Sequence, residues 1–163
     1  AGPTIAIHVS ARKLPQRWPT ERFIALMRQL HARCNARFML FWAPGGSDNP
    51  THPGDDDKAR EIVAATAGLP VLAYRTESLD ELIGGIAACD SMICSDGGAM
   101  HVGAALGKPI VCLFGNSDAA RWHPWGVPHE LLQPPSLDVN DISVAEAMSA
   151  CERLGIVGRP PGA

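Results

Sequence analysis

The sequence predicts an α/β domain built on a doubly wound, six-stranded parallel sheet. Short apolar segments alternate with amphipathic helical patterns along the chain, and this alternation is typical of a parallel sheet covered by helices. Most of the segments are apolar at successive positions, as expected for strands buried on both faces. Right-handed crossovers favour the strand order 3-2-1-4-5-6 of a Rossmann-like fold. The 163 residues suit one such domain, covering 1–163.

Six segments have the length and apolar content of strands. The first, TIAIHVS, is rich in β-branched residues, and the second, RFMLFWA, is rich in aromatic ones. The sixth is the weakest, because its apolar residues are fewer. The predicted strands are residues 4–10, 37–43, 71–75, 91–95, 109–115 and 129–133.

Helical patterns separate these strands and carry start signals. Thr20 is the predicted N-cap of the first helix, which has an apolar stripe. Three acids at 55–57 open the second helix, where they complement the helix dipole as a solvated face. Capping boxes begin the third helix at Ser78 and the last helix at Ser143. A short helix of small residues, 99–106, lies between them.

Composition and charge argue against several classes of function. A formal net charge of −3 gives no electrostatic case for nucleic-acid binding. Five scattered cysteines without a CxxC pair favour a reducing, cytoplasmic compartment over a disulfide framework or a zinc site. The sequence has no apolar run of membrane-spanning length and no signal-peptide pattern. We expect the Gly/Pro-rich end at 158–163 to be a frayed tail.

An acidic segment around His52, with Asp48 and the acids at 55–57, has the residue types of a metal site. Acids at a helix start more often compensate the helix dipole. We therefore expect neither a bound metal nor another cofactor.

In the predicted topology, the carboxyl ends of the first, fourth and fifth strands meet where doubly wound sheets bind ligands. These ends carry the polar segments 10–12, 95–98 and 115–117. The DGG segment at 96–98 runs directly into a helix, whose free N–H groups and positive dipole end suit a diphosphate. The alternative is a tight turn in which Asp96 merely caps the helix. The motifs GxGxxG and GxxxxGK[ST] are both absent.

Two histidines and a basic cluster border this region. His101 is in the first turn of the helix that follows the DGG segment, so its ring can face a ligand. His8 lies inside the first strand, where we expect a packed core residue. Arg12, Lys13 and Arg17 form a cluster that is either a solvated loop or a phosphate contact.

Five motifs carry a resemblance to a known family. They are RWPTERF at 17–23, DGGAMH at 96–101, AALGKP at 104–109, LFGNSD at 113–118 and WHPWG at 122–126. In these motifs the chain resembles the C-terminal half of bacterial heptosyltransferases, which belong to glycosyltransferase family 9.

The resemblance implies the C-terminal half of a GT-B fold and a donor-binding role. The donor is typically ADP-heptose, and the acceptor is the core of lipopolysaccharide. The reaction is a direct displacement that inverts the anomeric carbon without a metal, and its general base comes from an N-terminal acceptor domain that we expect to precede this chain. The chain alone is expected to bind donor without turnover. The complete protein is expected to work at the cytoplasmic face of the inner membrane, as a peripheral protein.

Site residues follow from the resemblance by position. Asp96, Gly97 and Gly98 correspond to the family's diphosphate and donor-sugar loop, and His101 to its helix histidine. The other donor-binding residues implied by the matching motifs and loops are Ser10, Arg12, Lys13, Gln16, Arg17 and Met100, together with Tyr74 and Arg75 beside the base.

Two positions depart from the family pattern. Gln16 stands where the family usually has a lysine that neutralises the diphosphate, leaving Arg17 or Lys13 as substitutes. Gly97 stands where a threonine is usual. These departures favour one alternative to the enzyme, a non-catalytic nucleotide-binding or regulatory module of the same fold. A third hypothesis is another GT-B enzyme, such as a nucleotide-sugar epimerase.

Overall fold

The computed structural model of the protein describes residues 2–51 and 53–157. His52 and the predicted frayed tail at 158–163 lie outside the described residues. The strands are β1 (Thr4–His8), β2 (Arg37–Phe41), β3 (Val71–Ala73), β4 (Ser91–Ser95), β5 (Ile110–Leu113) and β6 (His129–Leu132). The helices are α1 (Thr20–Cys34), α2 (Asp56–Ala65), α3 (Leu79–Ala87), α4 (Gly98–Ala105), α5 (Ala119–Trp122) and α6 (Val144–Arg153). Short 3₁₀ turns cover Leu14–Gln16 and Val139–Asp141.

All neighbouring strands of the sheet are parallel, in the order β3-β2-β1-β4-β5-β6. The predicted fold class and strand order are therefore confirmed. The chain moves outward from β1 to β3, then returns across β1 to place β4 beside it. This reversal puts the carboxyl ends of β1 and β4 next to each other, with His8 opposite Cys94 in the register.

Each face of the sheet packs against its own group of helices. On one face, α1 contacts α2 and α6, and their apolar side chains cover Ile5 and Ile7 of β1. On the other face, α3 and α4 pack over Ala6 and Cys94. Every residue of β4 is buried, as the unbroken apolar pattern predicts for a central strand covered on both faces.

The start of α1 differs from the prediction. Thr20 is the first residue of the helix, and Pro19 is its N-cap without a side-chain hydrogen bond. The fixed φ of proline suits a helix start without a capping side chain. The capping boxes predicted at Ser78 and Ser143 are both formed, by Glu81 and Glu146 respectively.

The loop after β1 is drawn tightly against the end of β5. A Cβ atom on Gly115 would lie 2.2 Å from the carbonyl oxygen of Pro15, so only glycine permits this approach. The contact brings the 3₁₀ turn that ends at Gln16 over the carboxyl edge of the sheet. The ends of β1, β4 and β5 thus enclose a common space.

Candidate functional site

A cavity of about 390 Å³ opens at the carboxyl ends of β1 and β4. Its volume is within the range of small-molecule binding sites. The cavity lies at the reversal point of the sheet, where doubly wound folds bind ligands. Its lining residues are His8, Ser10, Ala11, Arg12, Lys13, Gln16, Ala43, Pro53, Ser95, Asp96, Gly97, Gly98, Ala99 and Ser117.

The N-terminus of α4 forms one wall of this cavity. Gly97 is the N-cap, and no side chain among the described residues caps the helix. The alternative in which Asp96 serves as the cap is therefore wrong. Because the first N–H groups of a helix have no partner inside it, they remain available to a ligand together with the positive dipole end.

Neither glycine of this wall is required by the backbone. The φ of Gly97, 163°, is extended and open to any residue. Cβ atoms on Gly97 and Gly98 would meet nothing within 4 Å. Because both residues line the cavity, the missing side chains leave space for a ligand close to the backbone.

A glutamine joins the three strand ends. Gln16 is 5% exposed, and its Nε2 donates to Asp96 Oδ2 at 3.2 Å and to Ser117 Oγ at 2.5 Å. Gln133, beyond β6, fixes the Ser117 loop by donating to the carbonyl oxygens of Gly115 (2.8 Å) and Ser117 (2.9 Å). These contacts orient the Asp96 carboxylate without neutralising its charge. Ser117 belongs to the polar segment 115–117 that the sequence places at this edge of the sheet, whereas nothing in the sequence around Gln133 points to the site.

The loop after β1 is anchored from behind by a buried ion pair. Arg17 pairs with Asp55 and donates to the carbonyl oxygen of Ala11 at 3.0 Å. Asp55 is 4% exposed, which corrects its interpretation as part of a solvated acidic face. The neighbouring Lys58 donates to the carbonyl oxygen of Trp18 at 2.8 Å, and burial lowers its pKa to about 8. Arg17 therefore supports the wall of the cavity and does not line it.

The cations that line the cavity are Arg12 and Lys13, both exposed on its rim. Ser10 also lines it, and its Oγ accepts from the backbone N–H of Ala43 at 2.8 Å. The hydroxyl proton of Ser10 remains available for donation. The rim can thus attract an anion, while the walls offer hydrogen-bond donors.

Comparison with known proteins identifies the family. Residues 1–135 match the model of glycosyltransferase family 9 (heptosyltransferase). The chain belongs to glycosyltransferase family 9. It is 34% identical over 102 residues to lipopolysaccharide heptosyltransferase 2 of Escherichia coli K12, an alignment that covers 63% of this chain and 28% of that protein.

Two solved structures share the fold of this family 9 chain. The E. coli ADP-heptose LPS heptosyltransferase II has a TM-score of 0.79 at 24% identity, over 94% of this chain and 46% of that one. An E. coli heptosyltransferase solved with ADP has a TM-score of 0.79 at 19% identity, over 94% of this chain and 45% of that one. The chain thus spans just under half of each solved relative. At these identities the similarity establishes the fold.

Several residues that the resemblance implied do not line the cavity of this family 9 chain. Met100 is 0% exposed and belongs to the core beneath α4. Tyr74 packs edge-on against Phe41, with ring centroids 5.7 Å apart. Arg75 pairs with Asp56 and Glu77 beside a separate depression. His101 is exposed and does not line the cavity. Its ring packs edge-on against that of Trp122, with the ring centroids 6.2 Å apart.

In the part of the chain that the structure describes, no helix is both long enough and apolar enough to cross a membrane. The same residues contain no group of three or more His, Cys, Asp or Glu side chains placed to hold a metal ion.

His8 is a cavity-lining residue, which corrects its assignment to the packed core. Burial lowers its pKa to about 4, although the nearby Asp55 carboxylate acts in the opposite direction. The unfolded chain binds a proton near pH 6.5, whereas the folded chain does not until about pH 4. The free energy of unfolding is therefore expected to fall as the pH drops from about 6.5 to about 4, by up to about 3 kcal/mol.

Denaturant unfolding at several pH values measures this loss, and NMR of the His8 ring measures its titration. The variant His8→Gln should remove this part of the pH dependence. A His8 ring that titrates near pH 6.5 in the folded chain would contradict the prediction.

Proposed function

We propose that this chain is the donor-binding domain of an inverting glycosyltransferase that transfers heptose from ADP-heptose to the lipopolysaccharide core. The observation that carries the proposal is the cavity at the reversal point of the sheet. Its wall is the uncapped N-terminus of α4, and its rim carries Arg12 and Lys13. This combination suits a diphosphate, because helix N–H groups and cations both favour phosphate oxygens. Family membership and the names of the relatives support the choice of sugar and acceptor.

The donor would lie with its diphosphate against the first turn of α4. Asp96 borders the same space, and its carboxylate can accept hydrogen bonds from sugar hydroxyls. His101 lies one helical turn beyond Gly98, and we propose that it contacts the sugar where the donor leaves the cavity. Because the Asp96 carboxylate and the phosphates are both negatively charged, the carboxylate is not expected to lie directly against the phosphates.

A complete enzyme needs further parts. We propose that an N-terminal domain supplies the acceptor site and the general base that deprotonates the acceptor hydroxyl. We further propose that the complete protein acts at the cytoplasmic face of the inner membrane. The aligned share of the curated relative, 28%, leaves room for such a domain in a protein of that length.

One observation favours a second function. Gln16 carries no charge and hydrogen-bonds Asp96, so the described residues of the cavity wall include no buried cation for the diphosphate. A non-catalytic module that binds nucleotide for regulation would tolerate this arrangement. Transfer activity of the complete protein distinguishes the two functions, because only the enzyme forms the glycosidic bond.

Calorimetric titration of the chain with nucleotides tests the proposal. We expect saturable binding of ADP and ADP-heptose. UDP and GDP should bind at least about tenfold more weakly than ADP, a difference of about 1.4 kcal/mol in binding free energy. The absence of saturable binding to ADP and to ADP-heptose would overturn the donor-site assignment.

A pair of glycine variants tests whether the binding measured by calorimetry takes place in this cavity. Gly98→Ala should weaken ADP binding, because the added methyl group would occupy ligand space beside α4. Gly84→Ala is the control, since Gly84 is an exposed helical glycine whose Cβ also meets nothing within 4 Å. Both variants should fold as stably as the parent chain or slightly more so. Equal ADP affinity in the two variants would place the nucleotide elsewhere.

A further inference from the structure

The hydroxyl group of Ser117 lies at the cavity, and contacts within the chain hold it there. Ser117 follows β5 and lines the cavity. Its carbonyl oxygen and that of Gly115 both accept from Gln133, which fixes the backbone of this loop. Its Oγ lies 2.5 Å from the side-chain nitrogen of Gln16. The position of the hydroxyl is therefore set before any ligand binds.

The Asp96 carboxylate decides the direction of each hydrogen bond in this network. The nitrogen of Gln16 that contacts Ser117 also lies 3.2 Å from Asp96 Oδ2. Because a carboxylate only accepts, the group that faces it is the NH₂ of Gln16, which only donates. Ser117 Oγ therefore accepts from the same NH₂ group. The hydroxyl forms no other hydrogen bond among the residues that the structure describes, so its own proton is left for donation in the cavity.

A hydrogen-bond donor and an acceptor thus lie on either side of one nitrogen atom in the cavity wall. The donor is the hydroxyl of Ser117, and the acceptor is the carboxylate of Asp96. A phosphate oxygen would accept from Ser117 but would be repelled by Asp96. A hydroxyl group both accepts and donates, so it satisfies both residues. The pair therefore suits a sugar ring, which carries hydroxyl groups, better than a phosphate.

We propose that Ser117 is a sugar-binding residue whose hydroxyl donates to a hydroxyl oxygen of the donor sugar, while that sugar hydroxyl donates to Asp96. This inference rests on the proposed function, since it assumes a nucleotide sugar in the cavity. Gln16 is then a positioning residue, because its NH₂ group holds both side chains and directs the Ser117 proton away from itself. The diphosphate has no part in this contact.

Calorimetric titration with ADP and ADP-heptose tests the inference on the parent chain and two variants of Ser117. Ser117→Ala should weaken ADP-heptose binding about fivefold, as expected for the loss of one hydrogen bond. ADP has no sugar at its terminal phosphate, so its affinity should change by less than about twofold. Ser117→Thr keeps a hydroxyl and should bind ADP-heptose within about twofold of the parent chain.

A neighbouring residue provides the control, and thermal unfolding reports any structural role. Asn116 is exposed and does not line the cavity, so Asn116→Ala should change neither affinity by more than about twofold. Ser117→Ala loses its contact with Gln16 and should lower Tm by no more than about 4 °C, the effect of one hydrogen bond. A larger fall would assign the hydroxyl to the structure of the loop and overturn the inference.

The other contrary outcomes are separable from one another. If ADP-heptose binds the parent chain and Ser117→Ala alike, the nucleotide-sugar site stands and the role of Ser117 fails. If Ser117→Ala weakens ADP and ADP-heptose equally, Ser117 acts through the position of its loop and does not bind the sugar. If Ser117→Thr loses as much affinity for ADP-heptose as Ser117→Ala, the hydroxyl is not the binding group. If the parent chain binds neither ligand, the proposed function fails and this inference fails with it.

Discussion

Replacing Arg17 with alanine is expected to lower the free energy of unfolding by about 3 kcal/mol. Arg17 pairs with Asp55, whose side chain is almost completely buried. Asp55 Oδ2 already has no hydrogen-bond partner among the described residues. Removal of Arg17 would therefore leave a buried carboxylate without its partner, and the charge of the neighbouring Lys58 would compensate only in part.

Denaturant unfolding and calorimetry measure the loss, which corresponds to a fall of about 6–12 °C in Tm for a chain of this size. Arg75→Ala is the control, since the Arg75 side chain is about half-exposed and its partners Asp56 and Glu77 are partly exposed and exposed, respectively. Its effect should stay below about 1 kcal/mol. A loss in Arg17→Ala no larger than in this control would show that the buried pair contributes little to stability.

The effect of this substitution bears on function, because the family resemblance offers Arg17 or Lys13 as the substitute for the missing lysine at the diphosphate. The structure commits its guanidinium to Asp55 and to the carbonyl oxygen of Ala11. Loss of Arg17 should therefore weaken ligand binding only through the position of the loop after β1. Arg12 and Lys13, which line the cavity, are the cations left for the ligand.

The strand order and the position of the cavity could be predicted from the sequence because they depend on local patterns. Apolar runs such as SMICS fix a strand buried on both faces, and alternation with helices fixes a parallel sheet. A parallel sheet with a reversal point has its binding crevice at the carboxyl ends of the flanking strands. The segments around Ser10 and Asp96 could thus be brought together without knowledge of any side-chain contact.

The contacts within the site could not be predicted, because they join residues that are distant in the sequence. Gln16 and Asp96 are 80 positions apart, and Gln16 and Ser117 are 101 apart. Nothing near Asp55 distinguishes it from the exposed Asp57, yet one is buried in an ion pair and the other lies on the surface. Met100 lies within a motif that matches the family, and the resemblance therefore implies a donor-binding residue. Its position on α4 instead directs its side chain into the hydrophobic core.

Under the proposed function, Asp96→Ala in the complete protein is expected to reduce kcat/KM for heptose transfer about 100-fold or more, the scale found when one group that stabilises a transition state is removed. The Asp96 carboxylate borders the cavity, is held by Gln16, and does not cap α4. The fold should therefore survive the substitution. The loss would come from hydrogen bonds to the donor sugar, for which a carboxylate is a strong acceptor.

The ligand dependence of this variant separates a sugar contact from a general defect. ADP has no sugar at its terminal phosphate, so ADP binding should be unchanged or tighter once the negative charge near the diphosphate is gone. Asp118→Ala is the control, because Asp118 lies on the loop after the neighbouring strand β5 and is exposed, and its carboxylate only caps the short helix α5. It should leave transfer within about threefold of the parent enzyme, a change of less than about 1 kcal/mol. If Asp96→Ala kept full activity, or if it lost ADP binding as well as transfer, Asp96 would not be a donor-sugar residue, and its contact with Gln16 would serve only to hold the ends of β4 and β5 in place.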